Sequence, residues 1–207
     1  MVNFDFVTAS LTASVPRLQL SRRAAVVALA SGLLPMQSAW SADAASNAQI
    51  AALLRKGGVV VLMRHAETVP GVGDPPEFKL DDCRTQRNLS VAGQQDARRI
   101  GAWFKQNKLK PRAVLSSAWC RCKDTADLAF GQHAIWPALN SVFNDRAQLP
   151  DQSEIVRKAL AALPNQSFEV WVTHQVNITA VTGQGIGMGE IFILDGQGKL
   201  LARTRLA

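Results

Sequence analysis

The 207-residue sequence contains no tyrosine, and aromatic residues make up only 6% of it. It also has no run of five or six basic residues, although its formal charge is +7, from 23 Lys and Arg against 16 Asp and Glu. A nucleic-acid surface shows clustered cations and stacking aromatics, so these two scarcities argue against a nucleic-acid partner. The dispersed positive excess favours small anions instead, which need only a few converging cations. Charged residues at 19% are too many for a multi-span membrane protein, and hydrophobic residues at 47% too many for a disordered chain. Past residue 44 no stretch is long and apolar enough to span a bilayer, so no stable membrane insertion is expected. There is no internal repeat and no domain linker, and the length suits one domain. The oligomeric state is left open.

The first 44 residues read as a cleavable export signal, with the domain proper over 45–207. Arg17, Arg22 and Arg23 precede an apolar stretch from Ala24 to Leu34, long enough for a signal-peptide core and too short for a bilayer. Pro35 ends it. Small residues then offer cleavage after Ser41, with Ala39 at minus three, or after Ala44, with Ala42 at minus three. Ser21-Arg22-Arg23 partly resembles a twin-arginine signal, though Ala25 and Val26 replace its bulky apolar pair. A periplasmic or secreted location is therefore expected. In such an oxidising compartment the three cysteines are expected to pair. Cys120 and Cys122 are two apart, a poor spacing for bonding each other on a helix. The pairing expected joins Cys83 to one of them and leaves one thiol over. A metal site built on Cys120, Cys122 and His133 would fall short of a structural zinc set, and neither metal nor cofactor is expected.

Ser46 suits the N-cap of a helix over 48–56, closed by Gly57 and Gly58. Residues 58–63 form an unbroken apolar run rich in valine, the pattern of a strand buried on both faces in a parallel sheet. A long loop rich in Pro, Gly and Asp spans 67–87. Ser90 then caps a helix to about Asn107, a strand covers 113–115, and a helix runs from about Trp119 to Phe130. Ile135 and Trp136 suit a short strand. An irregular stretch over 139–152 leads into a helix ending at Leu163, and 168–173 reads as another buried strand. Strands over 190–194 and 200–204 are joined by the turn Asp195-Gly196-Gln197-Gly198. This alternation implies a three-layer α/β/α sandwich with a mostly parallel central sheet.

Three positions stand out by place. Arg64-His65 follows the first strand, Arg121 lies in the first turn of the helix after the second strand, and His174 follows the strand ending at Thr173. Ligands of open α/β sheets bind outside the carboxyl ends of the strands, so two Arg and two His are expected to meet in one crevice. A helix starting near Trp119 would add its N-terminal amides. This set suits phosphoryl chemistry. Arg binds phosphate oxygens as a fork, a neutral His can attack phosphorus, and a second, protonated His can offset charge on the equatorial oxygens. Arg84 and Arg87 flank Cys83 in the long loop. They are either solvated charges or, through a Cys83 bridge to the Arg121 helix, held near the pocket. Glycines 183, 185, 187 and 189 open no helix after a first strand, so they are no dinucleotide fingerprint.

Arg64-His65-Ala66-Glu67-Thr68 after an apolar strand resembles the Arg-His-Gly motif of the histidine phosphatase superfamily, which has the phosphoglycerate-mutase-like fold. Ser116-Ser117 with Arg121 and Thr125-Ala126 resembles its second arginine motif, Thr173-His174 its second histidine, and Asn88-Leu89-Ser90 through Gly93 the start of its first helix. The resemblance runs from about Gly58 to the C-terminus. It implies that His65 is the phosphorylated nucleophile and that Arg64, Arg121 and His174 hold the phosphate. Ala66 replaces the family's Gly and asks for a negative φ there. Many relatives carry a glutamate proton donor shortly after a Leu in the region of Leu139, where this chain reads Asn140-Ser141. The nearest acid downstream, Asp145, is the first choice of donor, ahead of Glu67, Asp82 and Glu190. The expected protein is thus an exported, metal-independent phosphomonoesterase acting on a small phosphorylated substrate. The alternative is a phosphate-ester-binding module of the same fold with impaired turnover. A mutase of glycolytic sugar acids is disfavoured by export.

Overall fold

The computed structural model describes residues 46–206; the leader and its cleavage sites lie outside the described residues. Ser46 caps α1 (Asn47–Lys56) through a capping box, its hydroxyl accepting from the Gln49 amide while the Gln49 side chain returns to the Ser46 amide. Gly57 stops the helix at φ +76°, where a Cβ would sit 2.5 Å from the Ser167 amide nitrogen. The chain then enters β1 (Val59–Arg64). There follow α2 (Val91–Gln106), β2 (Ala113–Ser116), α3 (Cys120–Phe130), the two-residue β3 (Ala134–Ile135), α4 (Leu149–Ala161), β4 (Phe168–Thr173), α5 (Gln175–Thr182), β5 (Ile191–Asp195) and β6 (Leu200–Thr204).

The sheet order is β3-β2-β4-β1-β5-β6. β1, β2, β3 and β4 run parallel, while β5 pairs with β1, and β6 with β5, antiparallel. The sheet is therefore mostly parallel, with an antiparallel edge made by the expected hairpin. Side chains alternate across it. Val59, Val61 and Met63 of β1 pack with Ile100, Phe104 and Ala126 beneath α1, α2 and α3. Val60 and Leu62 pack with Val156, Leu160 and Ile178 beneath α4 and α5. Helices thus cover both faces, as a strand apolar on both sides requires.

Two local readings need correction. The irregular stretch ends at Gln148, because α4 begins at Leu149 with Pro150 in its first turn, where the missing N–H costs nothing. The sequence reading assigns no element to α5. Its Val176, Ile178, Thr179, Val181 and Thr182 are poor helix formers, and burial of Asn177 and Ile178 together with a left-handed Gly183 cap holds the helix instead. Among the described residues no helix is long and apolar enough to cross a membrane.

Candidate active site

β1 and β4 lie side by side in register, so Arg64 sits opposite Thr173 and their chains leave the sheet together. His65 donates its amide to the Thr173 carbonyl (3.0 Å) and accepts from the Gly189 amide (3.0 Å). Ala66, fully buried, donates to the Thr125 hydroxyl (3.0 Å), which donates onward to the Arg121 carbonyl (2.7 Å). This chain ties the histidine turn to α3. Ala66 has no positive φ, so the alanine sits without strain. On the other side Gly93 of α2 presses on the turn: a Cβ there would lie 2.0 Å from the Glu67 carbonyl oxygen.

Arg64, His65, Arg121 and His174, expected to meet, line one cavity of about 990 Å³ with Arg87, Asp74 and Trp119. The rings of His65 and His174 are 5.5 Å apart. His65 Nδ1 lies 2.8 Å from the Ala66 carbonyl oxygen. A carbonyl only accepts, so Nδ1 carries the proton and Nε2 keeps its lone pair. Burial, then the Arg121 charge, pushes the His65 pKa down to about 3, so the ring is neutral at ordinary pH. His174 is likewise held well below its usual value, by burial first and then by His65 and Arg121. Its Nε2 lies 2.9 Å from the Ser117 hydroxyl and 3.4 Å from the Cys122 thiol. Ser117 in turn bonds Asn140 Oδ1 (3.1 Å), which also accepts from the Ala118 amide (2.7 Å). Asn140 thus braces the second histidine. Burial drives the Cys122 thiol up to about 12, which leaves it protonated and a poor nucleophile.

Arg64, Arg87 and Arg121 are buried or half-buried, and the Nε–H of each finds no partner among the described residues. Arg64 Nη1 donates to the Ile186 carbonyl (2.9 Å), and Arg121 lies over the Trp119 ring and donates to Asp74 Oδ1 (3.0 Å). Burial, then mutual repulsion with Arg87 and Arg121, lowers the Arg64 pKa, and burial is also the first cause for Arg121. A bound dianion would relieve both stresses. α3 has no side-chain cap, and its Cys120 amide is taken by Gln86 Oε1 (2.9 Å). Cys83 and Cys120 form a disulfide and Cys122 is a buried free thiol. The bridge pins the 83–87 segment to α3, and Asp74 Oδ1 accepts the Arg87 amide (2.9 Å). Arg87 therefore reaches the cavity, whereas Arg84 is exposed and pairs with Asp82.

The expected acids fare differently. Asp145 is exposed, is absent from the cavity wall, and accepts from Gln148 Nε2 (2.7 Å). Glu67 accepts from the Ser90 hydroxyl (3.0 Å), Asp82 pairs with Arg84, and Glu190 is held by Arg203. Asp74 is the one carboxylate among the described residues that lines the cavity. Sequence reasoning passes over it because nothing local marks Asp74 within the Gly- and Pro-rich 69–76 stretch; its partners are 13 and 47 residues away. No group of three or more His, Cys, Asp or Glu residues suited to a metal occurs among the described residues.

The chain is similar to solved structures of TTHB049 from Thermus thermophilus (21% identity, TM-score 0.50, covering 72% of this chain and 99% of that one). It is similar also to the protein of open reading frame Rv3214 from Mycobacterium tuberculosis (17%, 0.50, 65% and 89%). A third is the protein histidine phosphatase SixA in complex with tungstate (15%, 0.48, 71% and 96%). At these identities the likeness is one of fold. What is shared with TTHB049 and the Rv3214 protein is the mixed α/β architecture with its mostly parallel sheet. No family model and no curated protein matches the chain.

Proposed function

We propose that this protein is an exported, metal-independent phosphomonoesterase that works through a phosphohistidine on His65. The observation that carries the reading is the 2.8 Å contact of His65 Nδ1 with the Ala66 carbonyl, which commits the Nδ1–H there and leaves a neutral Nε2 in the cavity that Arg64, Arg87 and Arg121 also line. That is an activated nitrogen nucleophile beside a site for its anionic target. Arg64, Arg87 and Arg121 hold the equatorial oxygens with Nε–H groups that have no other partner among the described residues. His174 takes up a proton against the bound dianion and adds a further donor.

In the first step the Nε2 lone pair forms an N–P bond while the P–O bond to the leaving group breaks. The departing oxygen needs a proton, and Asp74 is the acid we assign to this step, since Asp145 lies off the wall. In the second step water attacks phosphorus, the N–P bond breaks, Asp74 accepts the water proton, and phosphate leaves. The arginines carry the charge that a metal handles in other phosphatases. Export is supported by the basic-then-apolar leader and by the Cys83–Cys120 bridge, which suits an oxidising compartment.

One observation favours the second reading, a binding module. Asp74 Oδ1 is already engaged by the Arg121 side chain and the Arg87 amide, so the wall carries no wholly uncommitted acid. The two readings separate on a chromogenic aryl phosphomonoester assayed in the presence of a chelator. We expect phosphate release by the native protein and none by His65→Ala. Retained binding of the ester with no release at any pH would establish the binding module.

A further inference from the structure

Phosphate needs only the floor of the cavity. About 990 Å³ lies at the top of the range of roughly 300–1,000 Å³ that takes a drug-sized ligand, so most of the space serves the group to which phosphate is attached. From the 141–149 segment and α5 the wall takes the apolar Phe143, Leu149, Val176 and Ala180, interleaved with the polar Ser141, Asn144, Gln175 and Thr179. Phe143 is 68% exposed, the second most exposed of the large hydrophobic side chains described. A large aromatic in water at the rim of a cavity wants a partner. Beside it stands Arg146, its guanidinium 5.7 Å from the Phe143 ring centre.

Arg146 has no ion-pair partner among the described residues. Its neighbour Asp145 is turned to Gln148, and Asp74 is taken by Arg121. Arg64, Arg87 and Arg121 stand with His65, His174 and Asp74 at the place given to the phosphate, whereas Arg146, the fourth arginine of the wall, has no anion assigned to it.

We infer that Phe143 and Arg146 form a leaving-group subsite that selects phosphate esters whose organic part is an apolar or aryl face bearing a second anionic group. The inference rests on the catalytic reading above for the place of the phosphate. The aryl face lies against Phe143 and the other apolar residues of the wall, and the second anion reaches Arg146, whose planar fork can bind a carboxylate or a phosphate. The 140–149 segment, which carries both residues, thereby sets specificity without touching phosphorus.

The test uses ligands that need no turnover, so that it stands apart from the question of catalysis. Calorimetry with the full mature protein compares phenylphosphonate, 4-carboxyphenylphosphonate and 1,4-phenylenebisphosphonate. At low salt the doubly functional ligands should bind about two- to fivefold more tightly than phenylphosphonate, the size of one exposed ion pair. Arg146→Ala should bring that ratio close to one, and Arg146→Lys should restore part of it. Phe143→Ala should weaken all three ligands. Preference for only one of the two dianionic probes would identify carboxylate or phosphate as the second group. Equal affinities, or a preference that persists in Arg146→Ala, would overturn the subsite. Loss of chromogenic turnover with the ratios intact would instead fault the catalytic reading alone.

Discussion

At the scale of single residues, the account depends on which nitrogen of His65 is free and on what surrounds it. Arg121 combines an unpartnered Nε–H, a stacked Trp119 and an ion pair to Asp74, so Arg121→Ala should lower kcat/KM for an aryl phosphate by about 10²–10³, the scale for one preorganised donor to a developing anion. Steady-state kinetics check this. Asp74→Asn should separate substrates by leaving group: kcat falls much further for alkyl esters, whose alkoxides need a proton, than for nitrophenyl esters, which do not. Asp145→Asn should leave both unchanged, and the opposite pattern would return the acid to Asp145. Arg64, His65, Arg121 and His174 were legible in the sequence because each follows a strand whose apolar run marks its end. Arg87 was legible only as one of two alternatives, and Asp74, Ser117 and Asn140 were not legible as site residues. Their contacts join partners 13 to 57 residues apart, and no local spacing encodes such contacts.

At the scale of elements, the histidine turn is clamped between α2 and α3. Gly93 allows the close approach of α2 to Glu67, so Gly93→Ala should shift the turn or the helix and cost about 1–3 kcal/mol, measurable by denaturant unfolding. The Cys83–Cys120 bridge closes a span of 37 residues. Its loss in Cys83→Ser/Cys120→Ser should lower stability by about 3–4 kcal/mol on the chain-entropy model, seen as a fall in Tm. Activity should drop with it, because the bridge anchors the segment that carries Arg87. The strands were readable as apolar runs, and the capped helices α1 and α2 from Ser46 and Ser90. α5 was not: its β-branched sequence speaks for a strand, and burial of Asn177 and Ile178 with the Gly183 cap overrides that preference. Sequence reasoning narrowed the Cys83 partner to two and left the choice to tertiary structure.

At the scale of the whole molecule, the buried histidines couple stability to pH. The folded His65 has its pKa lowered from 6.5 to about 3, and His174 is lowered in the same direction. Between these values the unfolded chain binds more protons than the folded one, so stability is full above pH 6.5 and falls as pH drops toward 3. His65 should contribute up to about 1.4 kcal/mol per pH unit in that window, and His174 acts in the same direction. Urea unfolding from about pH 7 to about pH 4.5 should show the decline, and His65→Asn should flatten it. The fold places the candidate site at the carboxyl ends of β1, β2 and β4, where three parallel strands deliver their residues to one cavity. That much followed from the alternation of strands and helices. The size of the outer cavity did not, since it depends on how the 140–149 segment and α5 pack. The most direct test of the account is to quench the enzyme during turnover of a ³²P-labelled aryl phosphate and map the label. The account predicts a protein-bound phosphoryl group, labile to acid and stable to alkali, on His65 alone. Turnover with no label on His65, or with undiminished label in His65→Ala, would contradict it.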